Sequence, residues 1–248
     1  MTFAQNLITE SQNSSTCVRK ASKKKMKINI IETSGENTAL FGIGLSYGIT
    51  STYKSCTALH LYNDLYNKLL KIADTLAHKQ GGHNKFLESI NISLDITAPR
   101  YWWSEFDTYR VGVTKQSEST IHTITKRPLT QRDFQGTVVA ETLTFLNELI
   151  ERYNNTPYLV TQQALFHHIK NNLPEGYLQR RIVVLNAKTL QNIIAQRHNH
   201  RLYEWKKFCT SIYDNFDKYS FTPLRTWLFP EGYIPPQESD TPCEEHSS

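Results

Sequence analysis

The 248-residue sequence predicts a single α+β domain in which a mixed β-sheet is flanked by long helices. Three observations carry this prediction. Ile90, Ile92, Leu94 and Ile96 alternate with polar residues, the period of a strand with one buried face. Leu59, Tyr62, Leu65, Tyr66, Leu69, Ala73 and Leu76 recur at helical spacing between Ala58 and His78, and Gly81-Gly82 ends that helix. Arg180 to Val184 is a short β-branched run leading straight into an amphipathic segment, a strand that turns into a helix.

The elements follow in order. Residues 1–25 are polar and include Arg19, Lys20, Lys23, Lys24 and Lys25, the composition of a disordered basic arm. Lys27 to Glu32 alternates as a strand. Ala39 to Gly48 is glycine-punctuated and reads as extended. Pro99 closes the central strand or opens the next helix. Tyr101 to Tyr109 is dense in aromatics, of which Trp102 and Trp103, with Trp205 later, read as core or interface anchors. Lys115 to Thr120 reads as a polar loop. Thr137 to Tyr153, Val160 to Lys170, Asn186 to Arg197 and Arg201 to Phe216 read as helices. From Glu231 to Ser248 prolines and acids predict a disordered tail, leaving residues 26–230 as the domain.

Composition narrows the function. A hydrophobic share of 39% and an aromatic share of 11% fit a globular protein, and no apolar run approaches the ~18 residues of a membrane span. Without an apolar signal core at the amino terminus, the expected location is cytoplasmic. Cys17, Cys56, Cys209 and Cys243 are scattered, which argues against a disulfide frame and a metal site. A net charge of +5 is too small and too even to announce a nucleic-acid face. Neither G-x-G-x-x-G nor a P-loop occurs.

Leu173 to Lys206 is the most informative stretch. Asn186 is placed to cap the helix whose apolar positions are Leu190, Ile193 and Ile194. At about 100° per residue, Asn186 and Arg197 fall on nearly one face, with Asn192 well off it. An amide and a guanidinium in line suit an extended anionic ligand. An ordinary surface helix has the same pattern.

Two blocks resemble the flavin-dependent thymidylate synthases. That family shows G-H and then an E-H, a strand ending in A-P or G-P, and R-Q-x-x-R-H-R. Gly82-His83, Glu88, Ala98-Pro99 and Arg110 fall in that register. Its second block runs R-x-x-L-P, N-x-R-x-L, an asparagine within the helix, an arginine at its end, and A-Q-x-E-I-R. Leu173-Pro174, Asn186, Leu190, Asn192, Arg197 and Glu204 match it. There are departures. The family's R-Q is Ser104-Glu105, its R-H-R is Thr108-Tyr109-Arg110, and Lys170 stands ahead of Leu173-Pro174 where the family has arginine. The family's later serine falls at Glu118 or Ser119.

The resemblance implies FAD as cofactor and NADPH and methylenetetrahydrofolate as cosubstrates, with dUMP methylated at C5 to dTMP in a homotetramer. It implies Arg197 as the catalytic cation that draws charge toward a pyrimidine carbonyl. Lys170, Glu105, Ser119 and Arg197 become the substrate-binding set, and His83, Tyr109, Arg110, Asn186 and Asn192 the cofactor-binding set. Each has a plainer reading. Arg197 complements a helix dipole, Asn186 is a cap, Arg110 packs on aromatics, His83 is a turn residue and Lys170 is solvated. Lysine at 170 keeps the charge but loses the bidentate fork. Glu118 opposes a phosphate by like charge, so either it points away or the ligand is no simple monophosphate. The altered arginines leave two alternatives, a relative that modifies pyrimidine C5 differently (hydroxymethylation) and a non-catalytic nucleotide-binding homologue. Cys243 lies in the acidic tail with nothing to stabilise a nucleophilic thiolate.

Overall fold

The computed structural model describes residues 26–50, 63–218 and 222–237. The expected basic arm, the first turn of the helix expected from Ala58, and Cys17, Cys56 and Cys243 lie outside them. The described elements are β1 (Lys27–Ser34), α1 (Glu36–Ser46), α2 (Asn63–Ala77), β2 (Asn91–Pro99), α3 (Arg100–Phe106), β3 (Val113–Ser117), α4 (Thr120–Thr123), α5 (Ala140–Asn155), α6 (Leu159–Asn172), β4 (Leu178–Asn186), α7 (Ala187–Arg197), α8 (Tyr203–Lys218) and α9 (Thr222–Leu228). A short 3₁₀ turn spans Lys85–Ser89.

The four described strands lie in the order β1-β2-β4-β3. The α+β class holds, with one correction: every join is antiparallel, whereas the sequence suggests a mixed sheet. The register explains this. Ser34 at the end of β1 pairs with Asn91 at the start of β2, and Pro99 at the end of β2 pairs with Leu178 at the start of β4. The connection from β2 to β3 crosses from the Leu178 end of the sheet to the Leu185 end, but it carries β3 past β4 to the far edge, so β2 and β3 run in the same direction without being neighbours and no parallel pair forms.

The alternating strand reads as expected. Ile92, Leu94, Ile96 and Ala98 are fully buried on one face of β2, and Val183 and Leu185 of β4 join them. Pro99 ends β2 and precedes α3, whose Trp102, Trp103 and Phe106 are buried. Trp102 packs on Phe106, Trp205 and Phe208 with ring centroids 4.7–5.6 Å apart. Cys209 lies in the same core, where burial pushes its thiol up to about 12.

Two segments differ from expectation. Residues 36–46 are helical rather than extended, with Ala39, Leu40, Ile43 and Gly44 forming the buried stripe. Gly44 is there for close approach, since a Cβ would collide with the Thr50 side chain. The turn comes earlier, at Gly35 with φ +99°, where a Cβ would run into Ser89 O. The segment expected as a polar loop from Lys115 begins within β3, which pairs with β4 from Val113↔Leu185 to Ser117↔Arg181. Its polarity suits an edge strand in contact with water. The excursion between β2 and β4 also carries a second, smaller core around Phe134, Leu146, Leu149, Leu165 and Ile169, built on the α5–α6 hairpin.

Candidate functional site

The side chain of Asn186 caps α7, its Oδ1 accepting from the Thr189 backbone N–H at 2.8 Å. Gly112 makes this possible. It sits at φ +67°, and a Cβ there would occupy the space of Asn186 Nδ2. The Asn186 backbone N–H also donates to Gly112 O at 3.1 Å.

At the other end of α7, Arg197 does not face open water, since its side chain is 19% exposed. Its Nε donates to Tyr109 Oη at 2.8 Å and its Nη1 to Glu105 Oε2 at 3.1 Å. Its guanidinium lies 4.6 Å from the Trp205 ring centroid. Glu105 Oε2 also accepts from Trp205 Nε1 at 2.7 Å, with His200 Nε2 at 3.5 Å. Tyr109 Oη donates onward to Gln196 Oε1 at 3.0 Å. Three of the predicted residues, Glu105, Tyr109 and Arg197, therefore form one cluster on a tryptophan face. Trp205 and His200 complete it. The sequence suggests Trp205 as a core or interface anchor, or as an aromatic facing a flavin or pterin ring, and does not announce its bond to Glu105, although an indole N–H at a buried position calls for an acceptor.

Lys170 belongs to a second cluster, which it joins through Thr120. Lys170 Nζ donates to Thr120 Oγ1 at 2.6 Å, one residue from Ser119, which precedes α4. Burial, and then the nearby Arg100 guanidinium, hold the Lys170 ammonium below its ordinary pKa. Arg100 itself donates to Leu173 O at 3.2 Å and pairs with Glu175 at 3.0 Å. Two cations that disfavour each other suit an anion between or beside them. Glu118 is exposed beside this cluster. Arg110 is also exposed and forms no hydrogen bond or ion pair among the described residues.

His83 and Asn192 lie apart from both clusters and line two recesses that flank the segment Gly81–Ser89. His83, with Lys85 and Glu88, lines a recess of about 450 Å³ against α1. Asn192, with Gly81, Gly82, Asn84 and His198, lines another of about 530 Å³ against α7. Gly81 and Gly82 take φ +75° and +85°, and a Cβ on either would meet nothing within 4 Å. Lys188 bridges the two recesses by pairing with Glu88. Helical spacing alone sets Asn186 and Arg197 in line. In the fold their side chains turn to different partners, the cap and the Glu105 cluster, and Asn192 reaches the recess.

No group of three or more potential metal-ligating side chains occurs among the described residues, and no described helix is long and apolar enough to cross a membrane. No curated protein matches the chain in sequence. Among solved structures, it resembles thymidylate synthase X from Helicobacter pylori, crystallised with FAD and dUMP. The two share 17% identity over 81% of this chain and 99% of that one, with a TM-score of 0.57. A second structure, the flavin-dependent thymidylate synthase of Helicobacter pylori complexed with FAD and dUMP, aligns at 14% identity over 76% and 93%, with a TM-score of 0.55. These likenesses establish the fold. The family model described as thymidylate synthase complementing protein matches residues 15–220, so the chain belongs to that family.

Proposed function

We propose that this chain is an FAD-dependent thymidylate synthase, which moves a one-carbon unit from methylenetetrahydrofolate to C5 of dUMP and reduces it to give dTMP. The single observation that carries this reading is Arg197, largely enclosed and held on three sides by Tyr109, Glu105 and Trp205. A guanidinium fixed in this way needs little reorganisation as charge develops on a pyrimidine carbonyl. Its Nη2 has no partner among the described residues and remains to donate. Glu105 offsets part of the charge, so Arg197 acts through directed hydrogen bonding more than through net charge.

The residues also suit a flavin dinucleotide. The two recesses flanking Gly81–Ser89 supply about 530 and 450 Å³ of space, with open glycines, an Asn192 amide unpaired among the described residues and the cations Lys85 and Lys188 at hand. His83, Asn186, Asn192, Tyr109 and Arg110 would hold the cofactor. When bound, the flavin supplies hydride chemistry, with NADPH as the ultimate donor and methylenetetrahydrofolate as the carbon source. The chain's own part is to orient and to desolvate. Lys170, with Thr120, Ser119 and Arg100, would neutralise the nucleotide phosphate, which relieves the mutual repulsion of the two cations. Exposed Tyr158, Leu159 and Val160, each more than 70% accessible, offer an apolar surface for self-association, and the homotetramer is the assembly that the family resemblance implies. A cytoplasmic location suits such a biosynthetic enzyme.

The test is the visible spectrum of the purified protein before and after addition of FAD. Retained or acquired flavin absorbance, with quenched flavin fluorescence, supports the proposal. A protein that neither keeps nor binds FAD refutes it.

A further inference from the structure

Residues 222–237 follow the stretch that the family model matches, yet they form one wall of the recess that holds Asn192. Leu228, Pro230 and Tyr233 face the α7 side of that recess. The wall is firmly anchored. Trp227 Nε1 donates to Asp74 Oδ1 at 2.8 Å. Gln191 Nε2 donates to Trp227 O at 2.6 Å, and His78 Nε2 lies 2.7 Å from Thr226 O. Phe229 packs between Tyr213 and Tyr233, with centroids 5.0 and 4.7 Å away. Thr210 Oγ1 donates to Pro236 O at 2.8 Å. Nothing in this set leaves the wall free to swing.

What it presents to the recess is specific. The Tyr233 ring lies 5.8 Å from the His198 ring, centroid to centroid, making an aromatic ledge. The Tyr233 hydroxyl is buried with no hydrogen-bond partner among the described residues, so it is the ring and not the hydroxyl that this residue contributes. Among the described residues neither the Asn192 amide nor the His198 ring has a hydrogen-bond partner. Gln191, by contrast, is fully committed, donating to Ala77 O and Trp227 O and accepting from Asn84. An aromatic ledge beside an uncommitted amide and imidazole, in a recess of about 530 Å³, matches a flat heteroaromatic ring with amide-like donors and acceptors on its edge.

We infer that the carboxy-terminal segment Leu228–Tyr233 is a specificity wall, packing Tyr233 against the flat ring of the bound cofactor or cosubstrate while Asn192 and His198 read its edge. This rests on the proposed flavin- and folate-dependent reading. Isoalloxazine and pterin share the required chemistry, and the test separates them.

The experiment titrates the full-length protein with FAD, followed by flavin fluorescence, and separately with 7,8-dihydrofolate, followed by tryptophan quenching. Tyr233→Ala is expected to weaken one of the two by about tenfold, and the ligand affected names the ring on the ledge. Tyr233→Phe is expected to bind as the wild type does, because the hydroxyl has no partner. Should Tyr233→Ala fail to fold, judged by circular dichroism, His198→Ala tests the same ledge from the helix side. Unchanged affinity for both ligands in a folded ledge variant overturns the wall while leaving the flavin reading intact. A wild type that binds neither ligand overturns both.

Discussion

Glu105→Gln is the sharpest probe of the Arg197 cluster. The change preserves shape and keeps an oxygen for Trp205 Nε1, now 2.7 Å from Glu105 Oε2, but removes the charge facing Arg197 Nη1 at 3.1 Å. A hydrogen bond between charged groups contributes about 1.5–3 kcal/mol where it is shielded. The Glu105 side chain is 34% exposed and Arg197 is 19% exposed, so solvent screens part of this. The expected loss is about 1 kcal/mol, which lowers the thermal midpoint by roughly 2–4 °C in a chain of this size. Thermal unfolding followed by circular dichroism reads it. The pairing itself is isolated by a double-mutant cycle with Arg197→Ala, in which the arginine truncation should cost less in the Glu105→Gln background than in the wild type. Equal costs in the two backgrounds, or a Glu105→Gln protein as stable as the wild type, would show that the two side chains do not act as a pair.

Gly112→Ala should destabilise the protein by more than the ~1 kcal/mol that a lost helix cap costs, since the new methyl enters the space of Asn186 Nδ2 at a positive φ. Urea unfolding measures it, and an unchanged midpoint contradicts the close approach. Asp133 is buried, which works against its charge, but Arg127 and the Thr130 backbone outweigh burial and hold its carboxyl below the ordinary value. A depressed folded pKa adds stability above the ordinary carboxylate range and loses it as pH falls through the folded value. Stability measured from pH 7 downward should therefore fall less steeply for Asp133→Asn than for the wild type, and parallel curves would refute the assignment. Lys170→Met should raise the dissociation constant for dUMP by about tenfold in calorimetry, because a partly enclosed cation is lost from the proposed phosphate site. Unaltered affinity would place the phosphate elsewhere.

The parts of the fold legible in the sequence are those where period and burial agree. Ile92, Leu94 and Ile96 alternate and are fully buried, and Asn186 caps α7 as its position before Leu190 and Ile193 indicates. The misread segments obey long-range packing. Gly44 looks like punctuation until Thr50 is seen against it, and β3 is too polar to read as a strand until β4 supplies its hydrogen bonds. The site divides in the same way. The order of Asn186, Asn192 and Arg197 along one helix is local and readable. The partners of Arg197 lie 88 and 92 residues away in the chain, and no local spacing announces them. The recess wall formed by Leu228 and Tyr233 is hidden for the same reason, since its anchors, Asp74 and His78, are distant in the sequence.

The most direct measurement of the central claim is product formation. Purified protein is supplied with FAD, NADPH, methylenetetrahydrofolate and dUMP, and dTMP is followed by chromatography for the wild type and Arg197→Ala. Turnover by the wild type that falls about a hundredfold or more in the variant, with dUMP still bound, is the expected result. Absence of dTMP from a wild type that holds both FAD and dUMP, or full activity without the arginine, would contradict the role given to this chain and to its guanidinium.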